Sequence, residues 1–170
     1  YKVDLGKLSK EGYIEAHDGS ISYDADADIL TLEEADTKYI LTGDGSGITI
    51  KVKSAAKENT PNIILEDATA KGIDAEKDLT LGLIGNTTVK NAGIIAGGTL
   101  TIDNAGTTKV GTLDVEGENF GAILADNVIV KGGNINATGK KEAVAIKAST
   151  KIELVGGAVT ANAETQSVIQ

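Results

Sequence analysis

The sequence contains no cysteine, no methionine and no tryptophan, and only one proline and one phenylalanine. Without cysteine the chain has no disulfide framework, no thiolate metal site and no cysteine nucleophile. Aromatic residues make up only 3% of the chain, whereas sandwiches and barrels usually fill their cores with larger side chains. The apolar residues are mostly Val, Ile, Leu and Ala, which favours a narrow interior of stacked aliphatic side chains.

Arginine is also absent: all 16 basic residues are lysine, and the formal net charge is −9. Nucleic-acid binding requires a basic face, and anionic membranes attract clusters of basic residues. No apolar run approaches the roughly 18 residues that a membrane span requires. These features argue against nucleic acid as a partner and against membrane insertion.

A short phrase occurs twice between residues 72 and 102. Gly72–Ala75 is followed by Asp78–Leu81, and Gly93–Ala96 is followed by Thr99–Ile102, so the copies lie 21 residues apart (93 − 72). Further copies begin at Ala122 and Ala145. A repeat of this length, made of short strands without helical periodicity, is typical of a β-solenoid.

Alignment of the copies predicts four rows of inward aliphatic side chains, because side chains alternate between the two sides of a strand. The rows are Ile73, Ile94, Ile123 and Ile146; Ala75, Ala96, Ala125 and Ala148; Leu79, Leu100, Val128 and Ile152; and Leu81, Ile102, Val130 and Leu154. A third sheet is less regular, and its candidate inward residues are Val89, Val110 or Leu113, Ile135 and Val159. Two glycine pairs, Gly132-Gly133 and Gly156-Gly157, fit one corner of the coil, where a positive φ costs glycine little.

The fold is therefore predicted to be all-β: a single domain over residues 1–170, built as a parallel β-helix with three sheets and about six to seven coils. In the first 65 residues the strands are predicted at 13–16, 20–23 and 29–32 for one coil, and at 39–41, 48–52 and 62–65 for the next. The longest rung runs from Ile94 to Ile123 and is predicted to contain a loop over residues 103–119. The polar residues 54–61 interrupt the second coil.

Both ends of the chain suggest a longer protein. The first residue is Tyr1 rather than Met, and Ser167–Gln170 begin a further strand. An open solenoid end needs a capping element. We therefore expect flanking domains, and expect this chain to be a fragment of a longer protein.

Three phrases resemble repeats of bacterial cell-surface proteins: Ser22–Ala25 leading to Ile29–Leu32, then Ala96–Ile102, and then Gly156–Ala161. Proteins of this kind, from Gram-positive bacteria of gut and soil, carry right-handed parallel β-helices described as carbohydrate-binding or adhesin modules. The resemblance covers about residues 20 to 170. It implies a right-handed β-helix, a secreted or cell-surface location, and polysaccharide or host glycan as a partner.

The densest acidic cluster is Asp24, Asp26 and Asp28, with Asp18 nearby in sequence. Alternate carboxylates in a turn can converge on Ca²⁺, which takes oxygen ligands. The spacing does not fit an EF-hand, because the sixth position is Ile29 rather than glycine and the twelfth is Ala35 rather than glutamate. The cluster is thus either a solvated acidic turn, the interpretation we favour, or a calcium site.

Other short motifs give weaker indications of chemistry. Gly43–Gly47 is rich in glycine but lacks the Lys-Ser/Thr ending of a phosphate loop, and so predicts a tight turn. The single histidine, His17, has no neighbouring nucleophile motif and is predicted to be exposed in a turn. No cofactor other than calcium is indicated.

Catalysis is the alternative from another function class, because pectate-lyase-like enzymes share the β-helix. Such lyases typically use an arginine beside calcium, and this chain has none. A glycoside hydrolase needs two carboxylates facing one cleft, yet Asp74 and Asp78 are followed one rung later by Ile95 and Thr99. The resemblance to cell-surface modules, together with the lack of a catalytic arrangement, implies a non-catalytic surface module, an adhesin or a glycan-binding β-helix. A lyase or hydrolase is one alternative, and a purely structural spacer is another.

Outward positions indicate two surface features. In one outward row Thr80 and Thr101 are followed by Ile129 and Glu153 in the next two copies. An ice-binding face needs a continuous row of threonine, so this row argues against ice binding. Ile95 and Leu124 are adjacent in one outward row and form either a small apolar contact patch or a surface beneath the loop at 103–119 or another packed segment. The sequence favours the covered arrangement.

Overall fold

The computed structural model describes residues 1–10, 13, 20–33, 38–53, 63–164 and 168–170. This part of the chain contains thirteen β-strands and one turn of 3₁₀-helix, Leu5–Lys7, and it has no α-helix. No helix in it is long and apolar enough to cross a membrane. The strands are β1 (Lys2–Asp4), β2 (Ile21–Asp24), β3 (Ile29–Leu32), β4 (Tyr39–Val52), β5 (Ile63–Ala75), β6 (Leu79–Ile84), β7 (Asn86–Ala96), β8 (Thr99–Asn104), β9 (Thr112–Gly117), β10 (Gly121–Val130), β11 (Asn134–Gly139), β12 (Val144–Leu154) and β13 (Ala158–Ala163).

The strands form a β-solenoid with three faces, as predicted. The first face holds β3, the last residues of β4, β5 and β7, and the first residues of β10 and β12. The second face holds β1, the first residues of β4 and β5, then β6, β8, and the last residues of β10 and β12. The third face holds the middle of β4 and β5, the first half of β7, then β9, β11 and β13.

The described residues complete about five coils. Every pairing between neighbouring coils is parallel, so each coil adds one strand to each face, with a spacing of about 4.8 Å along the axis. The prediction of six to seven coils was too high. The physical reason lies at the N-terminal end, where part of the chain forms a hairpin instead of a coil.

The four predicted rows are confirmed. Ile73 pairs with Ile94, Ile94 with Ile123, and Ile123 with Ile146, and all four side chains are at most 2% exposed. The second-face rows pair in the same way, from Leu79 and Leu81 to Ile152 and Leu154. Burial of this continuous aliphatic column is the main source of stability, at roughly 1.5–3 kcal/mol for each large side chain removed from water.

On the third face Val89 points inward as predicted, at 0% exposed, but it does not share a row with the other predicted residues. Leu113, Ile135 and Val159 do form one row, but its member on β7 is Thr87 rather than Val89, and Val110 is 58% exposed. Val89 belongs to the neighbouring row, beside Val115 and Ala137. Thr87 is 1% exposed, and its Oγ1 donates a hydrogen bond to the Leu65 carbonyl at 3.5 Å, which offsets the cost of an inward hydroxyl.

The N-terminal residues differ more. β2 and β3 pair antiparallel, with Ile21 opposite Leu32 and Asp24 opposite Ile29, so they form a hairpin rather than two faces of one coil. The residues from Ile63 pair with those from Tyr39 on the same face, so they begin a new coil instead of completing the previous one. Of the predicted strand at 13–16 only Tyr13 is described, and it lies in a turn; the polar stretch at 54–61 lies outside the described residues.

Two predicted loops are also corrected. Within residues 103–119, Thr112–Gly117 is strand β9 of the third face, so the extra length of this rung is a loop between β8 and β9. Gly43–Gly47 is not a separate turn but the part of β4 that bends around a corner. Gly43 has a φ of +79°, and the Asp44 side chain accepts a hydrogen bond from Ser46 N–H at 3.0 Å.

Candidate functional site

The Asp24–Asp28 cluster lies at the tip of the β2–β3 hairpin. Asp24 Oδ1 accepts hydrogen bonds from the N–H groups of Asp26 and Ala27, at 3.0 and 3.1 Å. Asp28 has a φ of +54°, and its Oδ1 accepts the Tyr23 hydroxyl at 2.9 Å. Desolvation and this hydrogen bond raise the pKa of Tyr23. Two of the three carboxylates therefore have structural hydrogen bonds within the hairpin.

The structure does not assemble these carboxylates into a metal centre. Among the described residues, no three His, Cys, Asp or Glu side chains are arranged to hold a metal ion. Asp24, Asp26 and Asp28 are all exposed, and both interpretations of the cluster, a calcium site and a solvated acidic turn, stay predictions. Asp18 and His17 lie outside the described residues.

The outward row of the first face carries the strongest candidate site. Asp74 pairs with Ile95, Ile95 with Leu124, and Leu124 with Lys147. Ile95 is 36% exposed and Leu124 is half-buried. In the described chain the loop between β8 and β9 does not cover this pair, because it lies between the second and third faces; cover by another packed segment stays a prediction.

A turn beside this row carries the only phenylalanine of the chain. Asn119 and Phe120 lie between β9 and β10, where the chain passes from the third face to the first. Phe120 is 75% exposed, an unusual position for a large aromatic side chain, which normally buries most of its surface. This turn stands at the edge of the first face and borders the Ile95–Leu124 pair.

Two adjoining hollows lie on this surface, and they share Ile95 and Leu124. One, of about 180 Å³, lies against the turn and is lined by Asn91, Ala92, Ile95, Asn119, Phe120, Gly121 and Leu124. The other, of about 210 Å³, lies on the C-terminal side and is lined by Ile95, Ala96, Leu124, Ala125, Asp126, Lys147 and Ser149. We refer to both together as the Phe120 groove. It has an apolar floor and a polar rim.

The turn is anchored from two sides. The Glu118 N–H donates to the Asn91 carbonyl at 2.9 Å, and Lys141 Nζ lies 2.8 Å from Glu118 Oε2. The hydrogen bond and charge of Lys141 hold the pKa of Glu118 below its ordinary value of 4.5. The carboxylate therefore stays ionised, and the anchor stays intact, down to a pH below that value. The main-chain hydrogen bond does not titrate, so it remains when the ion pair is lost.

Titration of Glu118 tests this anchor. We expect carbon-detected NMR to give its carboxyl a midpoint below 4.5, because Lys141 stabilises the charged form. Since the pKa is lowered by folding, the ion pair is present above the ordinary pKa and is lost as pH falls through the folded one. Lys141→Gln should raise the midpoint to the ordinary value. An unchanged midpoint in that variant would show that Lys141 is not the cause.

The groove combines an apolar floor with polar side chains at its rim. Its apolar floor and exposed ring can contact an apolar ligand face, while the amides of Asn91 and Asn119 can both donate and accept hydrogen bonds.

Asp74 and Asp78 are the two acids that the sequence places in a single rung. The Oδ1 atom of Asp78 accepts a hydrogen bond from the Thr99 N–H at 2.7 Å. It thus stabilises a corner of the coil.

Comparison with protein-family models, with curated proteins and with solved structures gave no match.

Sequence reasoning identified Ile95 and Leu124 as outward neighbours but missed Asn119 and Phe120. One signal was present in the sequence: the single phenylalanine falls in the longest rung, two residues before the next copy of the repeat. In a chain whose core is aliphatic, a lone aromatic residue outside the repeating rows is a candidate for the surface.

Proposed function

We propose that this protein is a non-catalytic, extracellular surface module that binds polysaccharide or host glycan in the Phe120 groove. The observation that carries the proposal is the 75% exposure of Phe120, on a turn that borders an apolar floor and places an amide beside the ring. The surface location rests on the resemblance of the repeats to bacterial cell-surface modules.

The chemistry of the groove suits a sugar. A pyranose ring has an apolar face of C–H groups and a rim of hydroxyl groups, so it is bound by an apolar surface together with a few oriented polar groups. Phe120, Ile95 and Leu124 supply the apolar surface, and Asn119 and Asn91 line the same hollow. An amide can serve hydroxyl groups as donor and as acceptor, which a carboxylate cannot do.

The groove is also long enough for more than one sugar ring. Within the groove, the row Ile95, Leu124 and Lys147 crosses three neighbouring strands, which is roughly 10 Å at the spacing of strands in a sheet. The hollows are shallow and open, as a surface that binds part of a long polymer requires. A polysaccharide chain could therefore lie along the solenoid axis without having to thread its end into a pocket.

The acids near the groove do not resemble a hydrolase pair. Asp126 is exposed and Asp74 is half-exposed, whereas a general acid in a glycosidase is held in surroundings that keep it protonated. Lys147, the basic residue nearest the floor, is exposed as well. These positions favour binding over cleavage, and they are the reason for proposing a non-catalytic module.

Binding to a panel of soluble polysaccharides, measured by affinity electrophoresis and glycan array, tests the proposal. We expect Phe120→Ala to weaken binding about tenfold or more, as removal of a central aromatic contact usually does. Val110→Ala is the matched control, because Val110 is also an exposed apolar residue, at 58%, but lies in the loop between β8 and β9. It should bind like the wild type.

Three results would contradict the proposal in different ways. Equal binding by wild type and Phe120→Ala would place the glycan site elsewhere. Failure to bind any polysaccharide on the panel would favour a spacer. Release of new reducing ends or unsaturated sugar ends would show a hydrolase or a lyase.

A further inference from the structure

The part of the Phe120 groove that lies against the turn, which we call the turn hollow, is small. Its volume is about 180 Å³, whereas sites that enclose a complete small molecule usually measure about 300–1,000 Å³. It lies over β7 and β10, in the middle of the first face, with β5 and β12 on either side. A sugar that lies over Phe120 can therefore place one substituent of its ring in this hollow, and the lining determines which substituent fits.

The turn hollow is apolar and uncharged. Its apolar side chains are those of Ala92, Ile95, Phe120 and Leu124. The described residues that line it include no charged side chain, and its polar side chains are the amides of Asn91 and Asn119. The hollow thus offers apolar contact together with amide donors and acceptors, and it offers no ion that could pair with a charged group.

The protein itself does not use these two amides. Asn104, Asn127 and Asn136 donate their side-chain N–H groups to other groups of the chain, whereas no hydrogen bond within the described chain involves the side chain of Asn91 or Asn119. Both residues are exposed. A group that enters the hollow can therefore form hydrogen bonds with either amide.

The backbone explains the choice of one of these asparagines but not of the other. Asn91 has a φ of +75°, a conformation that asparagine adopts more readily than most residues. Asn119 does not have a positive φ, and the neighbouring Phe120 is 75% exposed. Neither the amide of Asn119 nor the ring of Phe120 has a structural role within the described chain, as is expected of side chains that contact a ligand.

We propose that the turn hollow receives the acetamido group of an N-acetylated sugar, so that the groove binds neutral glycans that contain an N-acetylhexosamine. This inference rests on the proposed glycan-binding function and specifies the class of glycan. An acetamido group consists of a methyl group, a C=O acceptor and an N–H donor. The methyl group contacts Ile95 and Leu124, while the C=O and N–H groups bond to the amides of Asn91 and Asn119.

Other common substituents of sugars match fewer of these groups. A hydroxyl group makes no apolar contact with the floor, and the methyl group of a deoxy sugar leaves both amides without a partner. An ester acetyl group accepts hydrogen bonds but donates none. Because polar groups that leave water without a partner cost free energy, the substituent that supplies a methyl group, a donor and an acceptor has the most favourable contacts here.

The charges argue against acidic glycans. A carboxylate or sulfate group needs a positively charged partner when it leaves water, and the described lining of the turn hollow provides none. The other hollow of the groove carries one charge of each sign, on Asp126 and Lys147. The net charge of −9 also repels a polyanion. An uncharged N-acetylated glycan avoids both costs.

Two oligosaccharides that differ in this substituent test the proposal. Chitotetraose and cellotetraose have the same ring configuration and the same linkage, but each ring of chitotetraose carries an acetamido group where cellotetraose carries a hydroxyl group. We expect isothermal titration calorimetry to show that chitotetraose binds about tenfold or more tightly, as one additional methyl contact and one hydrogen bond can provide. Array glycans that end in N-acetylgalactosamine or in galactose form a second pair and should show the same preference.

Variants assign this preference to the turn hollow. Asn119→Ala removes one amide, and Asn91→Gly removes the other while glycine retains the left-handed backbone. Each should reduce the preference for chitotetraose by about threefold or more. Asn134→Ala is the matched control, because Asn134 is also exposed but lies at the start of β11 on the third face. In the complex, nuclear Overhauser effects should join the acetyl methyl group to the methyl groups of Ile95 and Leu124.

The possible failures of this inference and of the proposed function are distinguishable. Equal affinity for both members of each pair overturns the inference, as does a preference that Asn119→Ala and Asn91→Gly both retain. If a glycan without acetamido groups binds instead, and Phe120→Ala weakens that binding, the inference is wrong but the proposed function stands. Failure to bind any glycan, acetylated or not, overturns both.

Discussion

Replacement of Ile123 by aspartate is expected to prevent the protein from folding. Ile123 is 0% exposed and lies between Ile94 and Ile146 in the central row of the first face. The substitution removes a large apolar side chain, which costs about 2–5 kcal/mol. It also places a carboxylate in the dry core without a partner, at a further cost of several kcal/mol. Together these costs approach the total stability of a typical domain.

Circular dichroism and thermal melting measure this effect. Leu124→Asp is the matched control, because Leu124 is the next residue of the same strand and points outward, where it is half-buried. Its carboxylate stays in contact with water, so we expect a loss of about 1 kcal/mol or less. A cooperative melt of Ile123→Asp at the wild-type temperature would show that the isoleucine row does not point into the core.

The regular coils could be predicted because their chemistry repeats. Each coil presents the same aliphatic side chains to the same rows, and parallel stacking brings equivalent residues into contact, as with Leu79, Leu100 and Val128. The outward residues differ from coil to coil because almost any side chain is tolerated in contact with water. Sequence alone therefore identified the inside of the solenoid better than its outside.

The third-face error shows what fixes the register. Thr87 and Val89 both fit an alternating strand, and hydrophobicity alone selects Val89. The corner glycines identify the equivalent residues of successive coils. Gly85, Gly133 and Gly157 all have a positive φ, and the residues two positions after them, Thr87, Ile135 and Val159, lie in one row. Thr87 and Val89 both point inward, with exposures of 1% and 0%, and the corner determines which row each of them joins.

The hairpin and the groove depend on contacts that a repeat pattern does not contain. In the β2–β3 hairpin the Asp24 side chain accepts hydrogen bonds from two N–H groups, and Asp28 adopts a left-handed backbone conformation. Short acidic turns of this kind also occur between the strands of a coil, so the sequence does not distinguish the two cases. Phe120 belongs to no row, so no alignment of copies could place it. Its position next to Ile95 follows from the path of the chain between two coils.

A second large effect is expected at Gly93, where a single methyl group should destabilise the fold. Gly93 has a φ of +68°, a region that costs other residues about 1–2 kcal/mol. A Cβ at this position would lie 2.5 Å from the Ala122 carbonyl oxygen and 2.6 Å from that of Gly121. Both are backbone atoms of the next coil, so they cannot move aside as a flexible side chain could. The crowding adds about 1–3 kcal/mol.

Gly47→Ala is the control for Gly93→Ala, because a Cβ at Gly47 meets no atom within 4 Å. We expect chemical denaturation to give a loss of about 3 kcal/mol for Gly93→Ala and almost no change for Gly47→Ala. The contrast arises because Gly93 forms a corner at which successive coils approach backbone to backbone, whereas Gly47 borders open space. Equal stability of the two variants would mean that the coils are not stacked as closely at this corner as the solenoid requires.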